Sequence, residues 1–169
     1  RPFRPRVDAT DGPGVFAAEE VYVNPAKAGK RVVVLGAGLV GIEIAIFLAD
    51  MGRQVTLVEI MDRPNLENAA MHAMAVMKEM RLKNIPMRLR TKATKIRPDG
   101  VEIEGPEGKG FLEADTVIYA AGMRAQRDAA IALSQCAPEF IMLGDCQTPK
   151  NIIAATQPAH TAAMLIGTK

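Results

Sequence analysis

Three glycines and one carboxylate are the residues whose types and spacing can do chemistry in this sequence. Gly36, Gly38 and Gly41 stand in the order G-x-G-x-x-G within VVVLGAGLVGIEIA. The first glycine of such a stretch permits a tight strand-to-helix turn. The second lets a pyrophosphate approach the backbone, and the third lets the helix pack close to its strand. A helix opening there offers unpaired N–H groups and about half a positive charge to phosphate oxygens. The spacing alone is a weak signal, but here it follows an apolar strand-like run and opens an apolar helical one. Glu59 closes the next run, QVTLVEI, near the roughly 20-residue interval at which an acidic side chain meets the adenosine ribose of a dinucleotide. A carboxylate there accepts from the ribose hydroxyls and repels a 2′-phosphate, so NADH is expected over NADPH. Arg63, in the loop beyond, has the charge to meet a 2′-phosphate and keeps NADPH as the less favoured alternative.

The elements that must position these residues are legible as a strand–helix–strand unit. RVVVL (31–35) is β-branched and continuously apolar, as a parallel strand covered on both faces should be. LVGIEIAIFLADM (39–51) places Val40, Ile44, Phe47, Leu48 and Met51 on one stripe at helical spacing, with Gly52 as the stop signal. Residues 54–60 form a second buried strand, and the crossover should be right-handed. Upstream, 15–23 reads as a short helix ended by Pro25. Downstream, 67–83 reads as a helix with Ala70, Ala73, Met74, Met77 and Met80 inward, and 86–90 as a third short strand. Runs at 93–97, 101–104 and 111–113, separated by PDG and EGPEGKG, read as an antiparallel meander. DTVIYA (115–120) returns to the buried type and should rejoin the parallel sheet. A helix at 126–133, a strand at 140–143 and a helix at 151–166 complete the chain. The fold class expected is α/β: a Rossmann-like, doubly wound, mostly parallel sheet with a three-stranded meander.

Composition excludes several classes of function. An apolar share of 49% with 24% charged residues is that of a globular protein. The formal charge of +2 is spread along the chain and aromatics make up only 4% of it, so no nucleic-acid footprint is present. No apolar run approaches the ~20 residues of a membrane span, and no basic-then-apolar leader opens the chain. Cys136 and Cys146 fit neither a redox pair nor a metal-ligand spacing, and with them a cytoplasmic setting is expected. Ser134 has no histidine near it, and no metal-binding motif or paired carboxylates appear, so no catalytic or metal-ligating residue is assigned. His72 and His160 read as solvent-facing or core-edge residues, and Glu43 as either exposed or turned toward a cofactor. Any chemistry should belong to cofactors that the protein positions.

GAGLVGIE, the closing Glu59, the meander, DTVIYAAGMR and FIMLGDC together resemble the flavoproteins that carry two dinucleotide-binding domains. The wording VVVLGAGLVGIEIAIFLADMG, then VTLVEIMDR and HAMAVMKEM, is most similar to the C-terminal half of NADH:flavin oxidoreductases of the old-yellow-enzyme type. That group includes 2,4-dienoyl-CoA reductase, 2-enoate reductase and trimethylamine dehydrogenase. The resemblance implies that Gly36, Ala37, Gly38, Leu39, Val40 and Gly41 line the NADH pyrophosphate and that Glu59 with Ile60 flanks the adenosine. It places Gly122 close under the dinucleotide and Asp145 at the ribityl and pyrophosphate region of FAD, where the alternative for Asp145 is a turn cap. It also implies an NAD(P)H-binding domain at 30–122, with 1–29 and 136–169 belonging to a flanking FAD domain. The opening 1–14, with three Pro, two Gly and no initiator Met, reads as continuing a longer polypeptide. Its upstream part would bring the first Gly-rich FAD motif, an FMN-bearing barrel and an iron-sulfur cysteine cluster. Two functions stay open: a redox domain delivering hydride from NADH to a flavin for reduction of an activated alkene or similar acceptor, and a module that holds ADP or NAD without turnover.

Overall fold

A computed structural model describes residues 1–66 and 70–166 and divides the chain into two compact units, Arg4–Gly122 and Arg1–Phe3 with Met123–Lys169. In chain order the elements of the larger unit are β1 (Val15–Ala17), α1 (Ala18–Val23), β2 (Arg31–Leu35), α2 (Leu39–Asp50), β3 (Gln54–Val58) and α3 (Ala70–Leu82). They continue with β4 (Met87–Arg88), β5 (Lys92–Arg97), β6 (Gly100–Gly105), β7 (Gly108–Glu113) and β8 (Thr116–Tyr119). Five strands form a parallel sheet in the order β1-β8-β2-β3-β4, and β5-β6-β7 form the antiparallel meander. The α/β, Rossmann-like class read from the sequence is therefore borne out. The compact unit also takes in residues 4–29, which supply β1 and α1 to the sheet that carries 31–119.

The central strands are apolar on both sides because both sides are covered. Val32 and Val34 face the helices, packing with Ile42, Ile44, Leu48, Val76 and Met80. Val33 and Leu35 face the meander, packing with Ala93, Ile96 and Val101. Helices thus cover one face and the meander the other. Fully burying such a side chain contributes roughly 1.5–3 kcal/mol.

Several sequence expectations are corrected by tertiary context. Residues 15–23 are not all helical: Val15–Ala17 pair with β8, and the helix starts only at Ala18, where the Glu20 carboxylate accepts the Ala17 N–H at 3.1 Å. Val40 in α2 and Met51 just past its end are exposed while Ile42 and Ala45 are buried, because the helix is packed against α1, α3 and the sheet rather than along one stripe. In α3, Met74 is 74% exposed and Val76 takes its place inside. Residues 67–69 of the expected helix, and the burial of Ala70, lie outside what is described.

The smaller unit contains α4 (Arg127–Ala132) and α5 (Ile152–Leu165). An antiparallel bridge joins Pro2 to Met123, and Asn151 caps α5 by accepting the Ala154 N–H at 2.8 Å. The strand expected at 140–143 is absent. No described strand runs beside it, so its backbone groups would have no ladder to join, and Phe140 and Ile141 are exposed. No described helix is long and apolar enough to cross a membrane.

Arg31 and Asp115 lock β2 to the approach of β8. The Asp115 carboxylate accepts from the Arg31 backbone N–H at 2.8 Å and from its guanidinium at 2.7 Å, and the Asp115 N–H donates to the Arg31 carbonyl at 2.9 Å. These bonds, the guanidinium first, hold the Asp115 carboxyl below the usual aspartate range. A depressed carboxyl contributes stability that is present above the unfolded-state value and lost as pH falls through the folded-state one. Asp115→Asn should therefore flatten the fall in melting temperature as pH drops below the ordinary aspartate range. Leu48→Ala, at a fully buried position, should cost about 2–5 kcal/mol in chemical denaturation at any pH in the neutral range.

Candidate functional site

The carboxyl ends of β2, β3 and β8 meet at the turn between β2 and α2. Along the sheet, β3 lies on one side of β2 and β8 on the other, so chain order reverses there, and in open α/β sheets ligands bind at that switch point. Gly36 sits at φ +108°, and a Cβ on it would lie 2.6 Å from the Ala120 carbonyl oxygen. A Cβ on Gly41 would lie 2.0 Å from the Gly36 carbonyl oxygen. Both glycines are thus demanded by the protein's own backbone. Gly38 is different. Its φ of −75° suits any residue, and a Cβ there would meet nothing closer than the Asn65 carbonyl at 3.8 Å. Folding leaves this position open, and what its bareness does provide is close access to the backbone for a ligand. Gly38 is also the N-cap of the twelve-residue α2, and no described side chain caps that helix. Its first-turn N–H groups, on Leu39, Val40 and Gly41, belong to the set that a helix cannot satisfy internally. The turn therefore fits a diphosphate, with a bare approach at Gly38 and a positive helix end behind it.

Glu59 is 8% exposed and immediately follows β3. Its Oε2 accepts the Ala37 N–H at 2.7 Å and its Oε1 the Met61 N–H at 2.9 Å. Its own backbone is fixed as well, the N–H donating to Arg88 and the carbonyl accepting from Thr91, each at 2.8 Å. An ionised carboxylate has about four acceptor directions, so two remain after these bonds and can take ribose hydroxyls.

The structure brings Gly36, Ala37, Gly38, Leu39, Val40, Gly41 and Glu59 together. Ala37 is fully buried, and its N–H is engaged by Glu59. Ile60 is 63% exposed just beyond Glu59, and Arg63 is exposed in the same loop. Gly122, at φ +98° with no atom near its absent Cβ, ends the segment that runs from Ala120 beside Gly36. Asp145 lies in the other compact unit, exposed in a 3-10 turn at Gly144–Cys146. Sequence reasoning missed the backbone groups of Met61, Asn65 and Ala120, because main-chain donors and acceptors leave no mark in residue type.

Glu43 does not stand alone on α2. Its Oε1 lies 2.7 Å from His72 Nε2, both side chains being partly exposed. Burial against α2, and then the charge of Glu43, push the nearby Tyr22 hydroxyl up to about 12. Among the described residues no cluster of three His, Cys, Asp or Glu is placed to hold a metal ion.

Comparison with known proteins gives this geometry a family. The family model for pyridine nucleotide-disulphide oxidoreductases matches residues 2–161. The chain belongs to that family. It is 32% identical over 163 residues to bilirubin reductase of Mediterraneibacter gnavus, covering 96% of this chain and 25% of that protein. It is 33% identical over 171 residues to an NADH oxidase of Thermoanaerobacter brockii, covering 98% of this chain and 26% of that protein. A 2-naphthoyl-CoA reductase, solved as its 2-naphthoyl-CoA complex, superposes with a TM-score of 0.85 at 27% identity, over 92% of this chain and 24% of that one. The chain spans about a quarter of the length of these relatives. The resemblance to flavin-dependent NADH oxidoreductases, drawn from the glycine turn and its flanking motifs, is borne out, and this is an oxidoreductase-family, Rossmann-type nucleotide-binding domain. Membership implies NAD(P)H and FAD as the cofactor classes.

The three glycines should separate by experiment. Gly36→Ala and Gly41→Ala place a methyl against backbone oxygens and should lower the melting temperature by several degrees or abolish folding. Gly38→Ala should leave the melting temperature within a degree or two of the parent in the same thermal scan.

Proposed function

We propose that this chain is the NADH-binding part of a longer flavin-dependent oxidoreductase, in which hydride passes from NADH to a flavin and electrons go on to an activated alkene or similar acceptor. The observation that carries this reading is Gly38, a glycine the fold does not require, set at the mouth of an uncapped helix and next to the Glu59 carboxylate. The nicotinamide ring supplies the transferable hydride when bound. What this chain contributes is placement: the turn at 36–41 takes the diphosphate, Glu59 takes the adenosine ribose, and Gly122 leaves room beneath the dinucleotide.

Preference for NADH over NADPH follows from the buried charge. A 2′-phosphate would be brought against a carboxylate that is already oriented by two N–H donors and has little water to screen it. Arg63 and Ile60 are exposed at the rim of that end and would flank the adenosine rather than enclose it. FAD, met by Asp145, together with an FMN-bearing barrel and an iron-sulfur cluster, belongs in this reading to the rest of the polypeptide. The relatives' roughly fourfold greater length supports that, as does their naming as reductases and an oxidase. The domain division read here is 30–122 for NAD(P)H, with 1–29 and 136–169 contributing to the FAD side. A cytoplasmic setting accords with two cysteines that form no disulfide with each other.

Calorimetric titration of the chain with NADH, NADPH, ADP and FAD tests the reading. NADH should bind more tightly than NADPH. Gly38→Val should weaken NADH at least tenfold, about 1.4 kcal/mol, while lowering the melting temperature far less than Gly36→Ala or Gly41→Ala. Glu59→Ala should narrow the NADH-to-NADPH ratio. Unaltered NADH affinity in the Gly38→Val protein would refute the assignment, and stoichiometric ADP that NADH does not displace would favour a module that only holds a nucleotide.

A further inference from the structure

The loop that follows Glu59 is tied to the phosphate turn in a way that ribose recognition does not require. The Ala37 residue is gripped at both ends from across β3: its N–H donates to Glu59 Oε2 at 2.7 Å and its carbonyl accepts the Asn65 N–H at 3.1 Å. A parallel bridge pairs Gly38 with Asn65. The loop's near end is fixed as firmly. The Met61 N–H donates to Glu59 Oε1 at 2.9 Å, and the Met61 carbonyl accepts the Arg90 N–H at 2.8 Å. Arg90 makes that bond from a left-handed backbone conformation, φ 50°, which L-residues seldom adopt. Pro64, with its φ fixed, stiffens the loop just before Asn65.

Peptide geometry says what these ties accomplish. The peptide unit is planar, and among the described residues every one is trans, so the C=O of one residue and the N–H of the next point in opposite directions. Directing the Ala37 carbonyl at Asn65 therefore directs the Gly38 N–H away from the loop. Holding the Ala37 N–H on Glu59 sets the preceding peptide likewise. Two successive peptides of a turn flanked by glycines, the residues with the most backbone freedom to lose, are thus oriented by partners outside the turn. The Asn65 carbonyl stays 3.8 Å from the place a Gly38 Cβ would occupy, so the loop borders the open position without filling it.

We infer that residues 61–65 form a backbone strap that presets the phosphate turn, and that the Asn65 main-chain N–H is a positioning group for dinucleotide binding. The inference rests on the dinucleotide reading above. Its mechanism is preorganisation: a turn already held in its binding geometry has less conformational freedom to lose when the diphosphate arrives.

Substitutions at position 65 separate the backbone from the side chain. Asn65→Ala keeps the N–H and should bind NADH within twofold of the parent in calorimetry. Asn65→Pro removes the donor and should bind NADH and ADP at least tenfold more weakly, with the far-ultraviolet spectrum retained. Equal affinity in Asn65→Pro, tighter binding in it, or an equal loss in Asn65→Ala would each overturn the strap as a positioning device. Tighter binding would show that the loop obstructs the turn instead. Should Asn65→Pro not fold, amide exchange on the parent chain decides. The Asn65 N–H should already exchange slowly in the free chain while NADH slows Leu39 to Gly41, whereas an Asn65 amide that exchanges freely before NADH is added would overturn the inference. A parent chain that binds no dinucleotide defeats the underlying reading itself, which the Gly38→Val titration registers separately.

Discussion

Close approach of three backbone segments at the carboxyl end of β2 is the constraint on which the rest of the larger unit depends. Gly36 lies so near Ala120, and Gly41 so near Gly36, that neither position has room for a single carbon more. That closeness exists because β2 is paired along its length with β3 on one side and β8 on the other, and because α2 must turn back at once to cover the strand it leaves. A looser turn would lift α2 from Val32 and Val34 and open the helical face of the core. The same tight bend leaves the helix end bare at Gly38. Packing and ligand access are therefore two outcomes of one geometric demand.

Glu59 shows how a single carboxylate serves fold and site together. An acidic side chain this buried needs donors, and it finds them in the Ala37 and Met61 amides instead of in a lysine or arginine. Pairing with backbone amides uses part of the carboxylate's acceptor capacity and leaves the rest facing the turn. A salt bridge at the same place would have satisfied the carboxylate without tying the turn to the strand end.

Much of this was readable from residues alone, for identifiable reasons. The β-branched runs at 31–35 and 54–58 are intrinsic strand formers buried on two faces, so pattern and environment agree there. The glycine turn was legible because its steric demands fall on particular positions. Elsewhere the environment decided. Val15–Ala17 extend only because β8 offers a partner, whereas 140–143, with equal strand propensity, has none among the described residues and remains irregular. Met74 and Val76 differ little in apolar character, and only their angular position on α3 puts one in water and the other in the core. The ties made by Met61 and Asn65 are main-chain bonds and were beyond the reach of residue type altogether.

Strand order carries a consequence for how the chain attains its structure. β8 is inserted between β1 and β2, and the contacts that seat it, such as the Gly29 N–H to the Thr116 hydroxyl at 2.9 Å, join residues 87 positions apart. The β2–α2–β3 unit can form as soon as its own residues exist, but the edge of β2 that β8 will fill stays unpaired until the meander has been made. Such long-range closure is slow, and an unpaired strand edge is open to other chains while it waits. On the ribosome, an interior strand, inserted beside the edge strand β1, is thus the last part of the sheet to be added.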